Sequence, residues 1–338
     1  MAPKLPGRLL VMGAGAVGCF VGGRLQAAGA DVDFVGRPRV LAALRGHGLR
    51  LSDLDGGDHQ LPAQALALHP AVPEGLAPAL TLLCVKSGAT TSAAAELAQR
   101  LAPGSLLLSL QNGVVNAGLA ALAAPALTVL PGMVAFNVAE LGPGHYHRGS
   151  SGELAAQDHP ALRDWQPLFA AAGLPLQLHA DLAPICWAKL LLNLNNPVNA
   201  LSALPLRAQL LDRSLRRVTA ALQAEALAVL ARAGIKPARL TPLPPAWVPA
   251  LLRLPTPLFQ LAAARLLRID ERARSSMADD LALGRATEID ALCGEIVGLA
   301  ARCGSAAPLN ARMIDLVRRW PADPRPRSGA ELALALAI

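Results

Sequence analysis

Arg8-Leu-Leu-Val-Met12-Gly13-Ala14-Gly15-Ala16-Val17-Gly18 is the stretch that decides the fold of the first half of this chain. A short apolar strand, Arg8 to Met12, runs into Gly-x-Gly-x-x-Gly, and a helical stretch follows to about Ala28, where Gly29 ends it. Asp31-Val-Asp-Phe-Val35 reads as a second strand. The order strand, glycine turn, helix, strand gives the motif its meaning. Gly13 allows the tight turn, Gly15 leaves room for a pyrophosphate to approach the backbone, and Gly18 lets helix and strand pack closely. The helix N-terminus offers free N–H groups to phosphate. NAD sites usually place an acid at the end of the second strand to hold the ribose hydroxyls; here that strand runs into Gly36-Arg37-Pro38-Arg39, and Asp33 lies inside it. Arginine at the tip suits a 2′-phosphate, so NADPH/NADP is the expected cofactor and Arg37 its ligand. The competing reading makes Arg37 and Arg39 solvated loop charges.

Two more strand ends point to the same edge. Ala79-Leu-Thr-Leu-Leu-Cys-Val85 ends in Lys86, and Ser105-Leu-Leu-Leu-Ser-Leu110 ends in Gln111-Asn112-Gly113. Ligands of doubly wound sheets collect at the carboxyl ends of strands, which makes Lys86 and Asn112 candidates. Further strands are expected at Leu127 to Pro131 and around Gly152 to Ala156. His145 and His147 read as loop residues, since no third metal ligand stands near them; no metal site is expected.

The chain has 338 residues, enough for two domains, and is 53% hydrophobic and 16% charged, so it can bury a large core. No run of about 18 apolar residues is free of charge, Pro and turn residues, so no membrane span is expected, and Gly13 to Gly18 interrupts the apolar start too early for a signal peptide. The five cysteines are scattered and odd in number, which argues against a disulfide framework and fits a reducing, cytoplasmic setting. A net charge of +7 would tolerate nucleic acid, but the arginines are dispersed and aromatic residues are only 3%. That leaves little for base stacking, so no nucleic-acid role is expected and the excess charge reads as a mild attraction for small anions.

From Ala183 the pattern changes to long Ala/Leu helices, which divides the chain into an expected NADP-binding Rossmann-type domain, 1–182, and an all-α substrate and catalytic domain, 183–338. Helices are expected at roughly 184–196, 206–233, 257–301 (continuous or broken) and 308–319, an irregular Pro-rich connection with room for one short helix at 236–257, and a frayed tail after Pro321. Lysine is scarce: only Lys4, Lys86, Lys189 and Lys236 against 27 arginines. A lysine kept where arginine is the default suggests a site that needs a releasable proton. Lys189 lies in Trp187-Ala-Lys-Leu-Leu-Leu-Asn193-Leu-Asn-Asn196-Pro197. At about 100° per residue, Lys189, Asn193 and Asn196 share one helix face. Pro197 should end or kink that helix. A second cluster, Ser275-Ser276-Met277-Ala-Asp279-Asp280, precedes Thr287-Glu288-Ile-Asp290. Ser276, three residues before Asp279, reads either as a helix cap or as a substrate ligand. In one unbroken helix it would stand about 18 Å from Glu288, so that the two would hold opposite ends of a substrate–cofactor pair.

Taken together and in this order, these segments resemble the ketopantoate reductase (2-dehydropantoate 2-reductase) family. The resemblance implies an N-terminal Rossmann domain, a helical C-terminal domain, NADPH as reductant and reduction of 2-dehydropantoate to (R)-pantoate on the route to pantothenate and coenzyme A. It implies Lys189 as proton donor, with Asn112, Asn193 and Ser276 at the substrate. Gly13, Ala14, Gly15, Ala16, Val17, Gly18, Arg37, Lys86, Asn112 and Glu288 fall on the cofactor side. Where the family pattern has a second asparagine eight residues after the lysine, this chain has Pro197, with Asn196 before it and Asn199 after it; either asparagine can take the role. Ala89 stands where the family often has glutamine. The rival readings are a reductase of another branched 2-oxo acid and a noncatalytic NADP-binding sensor. A homodimer is compatible with the chain, whose sequence does not set the oligomeric state.

Overall fold

Strand β1, Leu9–Met12, is buried along its whole length. Residues two apart on a strand share a face. Leu9 and Val11 join one apolar cluster with Phe20, Phe34, Leu82 and Leu108. Leu10 and Met12 join another with Val35, Leu83, Ala94 and Leu97. Both faces are covered, which is why this strand and its neighbours read as continuous apolar runs. Each fully buried leucine in these layers contributes about 1.5–3 kcal/mol. In the computed structural model, which describes residues 7–264, 267 and 273–338, the chain forms two compact units, one up to Leu182 and one from Ala183 on.

In the first unit β1 is followed by β2 (Val32–Val35), β3 (Leu49–Asp53), β4 (Asp58–Leu61), β5 (Ala67–His69), β6 (Leu80–Leu83) and β7 (Leu106–Ser109). Then come β8 (Thr128–Val134), β9 (Val138–Gly142), β10 (His145–Arg148), β11 (Leu154–Gln157) and β12 (Leu176–His179). Helices α1 (Ala16–Ala27), α2 (Pro38–His47), α3 (Thr90–Arg100), α4 (Asn116–Ala123), α5 (Pro160–Arg163) and α6 (Gln166–Ala171) connect them. Eight strands form one sheet in the order β12-β11-β8-β7-β6-β1-β2-β5. The pairs β2–β5, β1–β2, β1–β6, β6–β7 and β7–β8 are parallel, while β11 runs antiparallel to β8. The chain leaves β1 for β2 on one side and returns to β6 on the other, so the sheet reverses its winding between β1 and β6. That switch point is where doubly wound sheets bind ligands.

A second sheet, β4-β3-β10-β9, lies outside the sequence expectations. Its strands are short and mostly half-exposed, with a polar face that hides the alternation. It packs on α1, where a side chain at Gly23 would collide with Leu49 and Leu51 at 2.6 and 2.8 Å. His145 and His147, expected in a loop, stand on β10, and both rings meet the Ser52 hydroxyl, at 2.8 and 2.9 Å.

The second unit is helical: α7 (Ala183–Asn193), α8 (Asn195–Ser202), α9 (Leu206–Leu211), α10 (Arg213–Arg232), α11 (Val248–Arg253), α12 (Thr256–Ala262), α13 (Ser276–Ala282), α14 (Glu295–Arg302), α15 (Pro308–Arg318) and α16 (Gly329–Leu336). The expected helix 206–233 is two helices. Asp212 caps α10 by accepting from the Ser214 and Leu215 N–H groups at 2.7 and 3.2 Å, which stops α9 one residue earlier. The expected helix 257–301 spans 265, 266 and 268–272, which lie outside the described residues; within the described part it is interrupted after Ala282 by Gly284 at φ +61° and carries a π-helical turn at Asp290–Gly294. The tail is not frayed. Ser328 and Glu331 form a reciprocal capping box at the start of α16, and Leu332 and Leu336 are fully buried. Arg216, also fully buried, donates to the carbonyls of Leu210, Leu252 and Leu254 at 2.8–3.0 Å and lies 4.2 Å from the centre of the Phe259 ring. It thereby ties α9, α11 and α12 to α10. Among the described residues no helix is long and apolar enough to cross a membrane.

Candidate active site

The glycine turn adopts the conformation that the motif demands. Gly13 sits at φ +110°, and a Cβ there would lie 2.5 Å from the Val85 nitrogen, so only glycine fits between β1 and the end of β6. A Cβ on Gly18 would strike the Gly13 carbonyl and come within 2.9 Å of Val11, which is the close helix–strand contact. Gly15 faces open space, with no atom within 4 Å of a built Cβ. It is also the N-cap of α1 and has no side chain to cap the helix. The first helical bond of the turn runs from Cys19 N–H to Gly15 O at 2.8 Å, so the N–H groups of Ala16, Val17 and Gly18 precede the helix's own bonding pattern. An open, uncapped helix start beside a glycine fits a pyrophosphate.

One strand over, Arg37 is the N-cap of α2 and is exposed. Its neighbour Arg39 is engaged by Glu140 of β9 through two hydrogen bonds, 2.9 and 3.1 Å. Asp33, the only acid within β2, is buried and bonded to His69 at 2.7 Å, with Arg8 3.5 Å away. The acid is committed inside the sheet, and the tip of the strand carries a cation.

On the other side of β1, the loops after β6 and β7 are knitted together by buried side chains. Gln111 Nε2 donates to Val85 O at 2.9 Å and to Thr90 Oγ1 at 2.7 Å. Gln111 Oε1 accepts from Ser109 at 3.0 Å. Asn116 Nδ2 donates to Ser87 Oγ at 3.1 Å and to the Asn112 carbonyl at 2.5 Å, while Asn116 Oδ1 accepts from Thr90 at 2.9 Å. Lys86 and Asn112 therefore sit on one fixed edge, in line with Gly13–Gly18 and Arg37 at the carboxyl ends of β6, β7, β1 and β2. Sequence reasoning noticed Gln111 only as a neighbour of Asn112. Its role as a clamp follows from a polar residue buried directly after an apolar strand.

In the second unit, α7 ends at Asn193 and α8 starts at Asn195, with Leu194 between them. Pro197, expected to end the helix at Asn196, instead occupies the third position of α8. A missing N–H costs nothing there, because the first-turn N–H groups have no helical partner. Lys189 and Asn193 share a face of α7 as expected, but Asn196 belongs to the next helix, so the i+7 argument that grouped all three does not hold. Lys189 is half-buried and Asn193 buried. Loss of hydration pushes the Lys189 ammonium down from 10.5 to about 8, close to the pH at which a general acid works best.

Asn196 and Asn199 differ in what their side chains already do. Asn199 is fully buried; its Nδ2 donates to Leu204 O at 2.9 Å, and its Oδ1 accepts from Ser275 N–H at 2.9 Å. Both ends of that side chain are used within the fold. Asn196 is half-buried, and its carbonyl accepts from Ser275 Oγ at 3.3 Å. The same bonds correct the reading of the serine pair. Ser275 is the N-cap of α13, accepting from Ala278 N–H at 3.2 Å. Ser276 is exposed and stands one residue inside the helix. Glu288 lies beyond the end of α13 at Ala282, past the Gly284 turn, so the single-helix spacing used for the Ser276–Glu288 distance does not apply. Among the described residues no cluster of three or more His, Cys, Asp or Glu could hold a metal.

A doubly wound sheet with an open glycine turn at its switch point, followed by a helical unit carrying a desolvated lysine, is an arrangement that suits a dinucleotide-linked oxidoreductase. Comparison with known proteins narrows the class. Residues 9–161 match the family model described as ketopantoate reductase PanE/ApbA, and residues 181–320 match the model of its C-terminal part. The 2-dehydropantoate 2-reductase of Archaeoglobus fulgidus is 30% identical over 328 residues, covering 92% of this chain and 97% of the relative. The crystal structure of a PanE/ApbA family ketopantoate reductase from Ralstonia eutropha aligns at a TM-score of 0.76 with 32% identity, covering 92% and 97% of the two chains. The ternary structure of D-mandelate dehydrogenase with NADH and anilino(oxo)acetate has the same fold, at a TM-score of 0.73 and 20% identity, covering 92% of this chain and 97% of that one. The chain is an oxidoreductase that belongs to the ketopantoate reductase family.

Proposed function

We propose that this chain reduces 2-dehydropantoate to (R)-pantoate with NADPH, supplying pantothenate and coenzyme A synthesis. Ketone, NADPH and one proton become the 2-hydroxy acid and NADP. The family and the names of its relatives support the substrate. The observation that carries the chemistry is Lys189, a partly buried lysine brought to about 8 by lost hydration on the same helix face as Asn193.

When bound, the reduced nicotinamide supplies a hydride to the carbonyl carbon. The chain's own groups do the rest. Lys189 Nζ hydrogen-bonds the carbonyl oxygen, stabilises the charge that grows there and gives it a proton. Asn193, Asn196 and Ser276 orient the substrate's hydroxyl and carboxylate, with Asn112 between substrate and cofactor. Gly13–Gly18 receives the pyrophosphate, Arg37 the 2′-phosphate, and Lys86 and Glu288 complete the cofactor side. Asn199 is left out, because its carboxamide is already spent inside the fold.

The departure at Pro197 favours keeping a second substrate in view, another branched 2-oxo acid reduced by the same groups. The test is NADPH oxidation with a panel of 2-oxo acids that includes ketopantoate, run on wild type, Lys189→Ala and Lys189→Arg. Ketopantoate should give the highest kcat/KM. Both variants should bind NADPH and lose at least about a hundredfold in kcat, the usual scale for a positioned proton donor. Near wild-type turnover in Lys189→Arg would remove Lys189 as the acid, since arginine keeps the charge but holds its proton.

A further inference from the structure

Two side chains of α10 hold the joint between α7 and α8. Gln223 Nε2 donates to the Leu191 carbonyl at 3.0 Å, and Thr219 Oγ1 donates to Asn195 Oδ1 at 3.0 Å. Four residues apart, Thr219 and Gln223 share one face of α10, and both are buried. Asn195 is held again by exchanging two hydrogen bonds with Gln209, at 3.1 and 2.7 Å. The anchored groups bracket Asn193, one two residues before it and one two residues after. The joint needs such anchors: where a helix stops, its last carbonyls lose their helical partners, and among the described residues Leu191 O otherwise receives only a long 3.3 Å bond from Leu194 N–H.

Gln223 is an uneconomical way to fill that space. Its Oε1 is buried with no hydrogen-bond partner among the described residues, a penalty that methionine or leucine would avoid. What the glutamine adds, and an apolar residue cannot, is the bond to Leu191 O. We propose that Gln223, seconded by Thr219, is a positioning residue for the reaction, fixing the last turn of α7 so that Lys189 and Asn193 keep their aim. The inference rests on the reading of Lys189 given above.

Gln223→Met is the decisive variant, because it keeps the volume and removes both the anchor and the unpaired oxygen. Its thermal midpoint should equal or exceed that of wild type. Its kcat with ketopantoate should fall at least about tenfold, as expected for a reacting group displaced by a fraction of an ångström, with KM for NADPH unchanged. Thr219→Val should lose less in the same direction. A second readout needs no substrate: the pH dependence of Lys189 labelling by acetic anhydride, followed by peptide mass spectrometry. Its midpoint should leave the wild-type value of about 8 and move toward that of an ordinary lysine. An unchanged labelling profile in Gln223→Met overturns the proposal, as does a lower thermal midpoint with wild-type kcat and KM. If wild type reduces no 2-oxo acid, the functional reading fails while the labelling experiment still decides the role of Gln223.

Discussion

Replacing Lys189 with methionine should stabilise the protein at neutral pH, and by an amount that depends on pH in a defined way. The ammonium is held down from 10.5 to about 8 by lost hydration. At about 1.4 kcal/mol per pH unit, that displacement corresponds to about 3 kcal/mol; the residue is half-buried rather than sealed, so about 2 kcal/mol is the working figure. The sign follows from proton counts. Below pH 8 the lysine is protonated in folded and unfolded chains alike, and the folded state carries the full cost. Between about 8 and 10.5 the unfolded chain binds the proton and the folded one does not, so wild-type stability rises with pH. Above 10.5 both are neutral and the cost is gone. Urea unfolding of wild type and Lys189→Met, followed by tryptophan fluorescence with Trp187 on the same helix, should show the variant ahead by about 2 kcal/mol at pH 7. The gap should close by pH 10.5. A difference that stays constant across that range would refute the reasoning, since it would reflect packing rather than charge.

Arg37→Ala should raise KM for NADPH at least about tenfold, the loss of one charge-assisted contact, and leave KM for NADH nearly unchanged; equal wild-type efficiency with the two cofactors would dismiss Arg37. The adjacent serines should separate cleanly. Ser275→Ala should lower stability by about 1 kcal/mol through the lost cap with little change in KM, whereas Ser276→Ala should raise KM for the oxo acid at least about tenfold with little change in thermal midpoint. Arg216→Met should destabilise by more than about 3 kcal/mol, since it strands three buried carbonyl acceptors; an unchanged denaturation midpoint would show that those carbonyls find other partners.

The edge that carries the glycine turn was legible because each of its parts has a local signature: four-residue apolar strands, Gly13 and Gly18, where a Cβ would collide with backbone, and a cation where an acid would be expected. The small second sheet was not. Arg50, Ser52, His145 and His147 present a polar face that alternation rules discount. The α7–α8 joint is hard to read because a proline satisfies two grammars: it can follow a helix or sit in the first turn of the next. The sequence leaves Ser276 as either a cap or a substrate ligand; the residue before it does the capping, and only the backbone bond from Ala278 distinguishes the two serines. The ordered tail, by contrast, has a local signature in Ser328-Gly-Ala-Glu331 ahead of a leucine run, a capping-box pattern. Gln223 and Gln111 gave the faintest signals, each a single amide in an apolar stretch.

Ser275 joins α8 to α13 by two bonds, one to the Asn196 carbonyl and one to the Asn199 side chain. The residues proposed for the substrate, Asn196 and Ser276, are the immediate companions of that splice. In the proposed site they would act together as the jaws of a fixed gauge, set by two helices that lie some 80 residues apart in the chain. Retuning such an enzyme for a longer or bulkier oxo acid would then call for moving a helix, through Asn199 or Ser275, before any side chain in the site itself is exchanged.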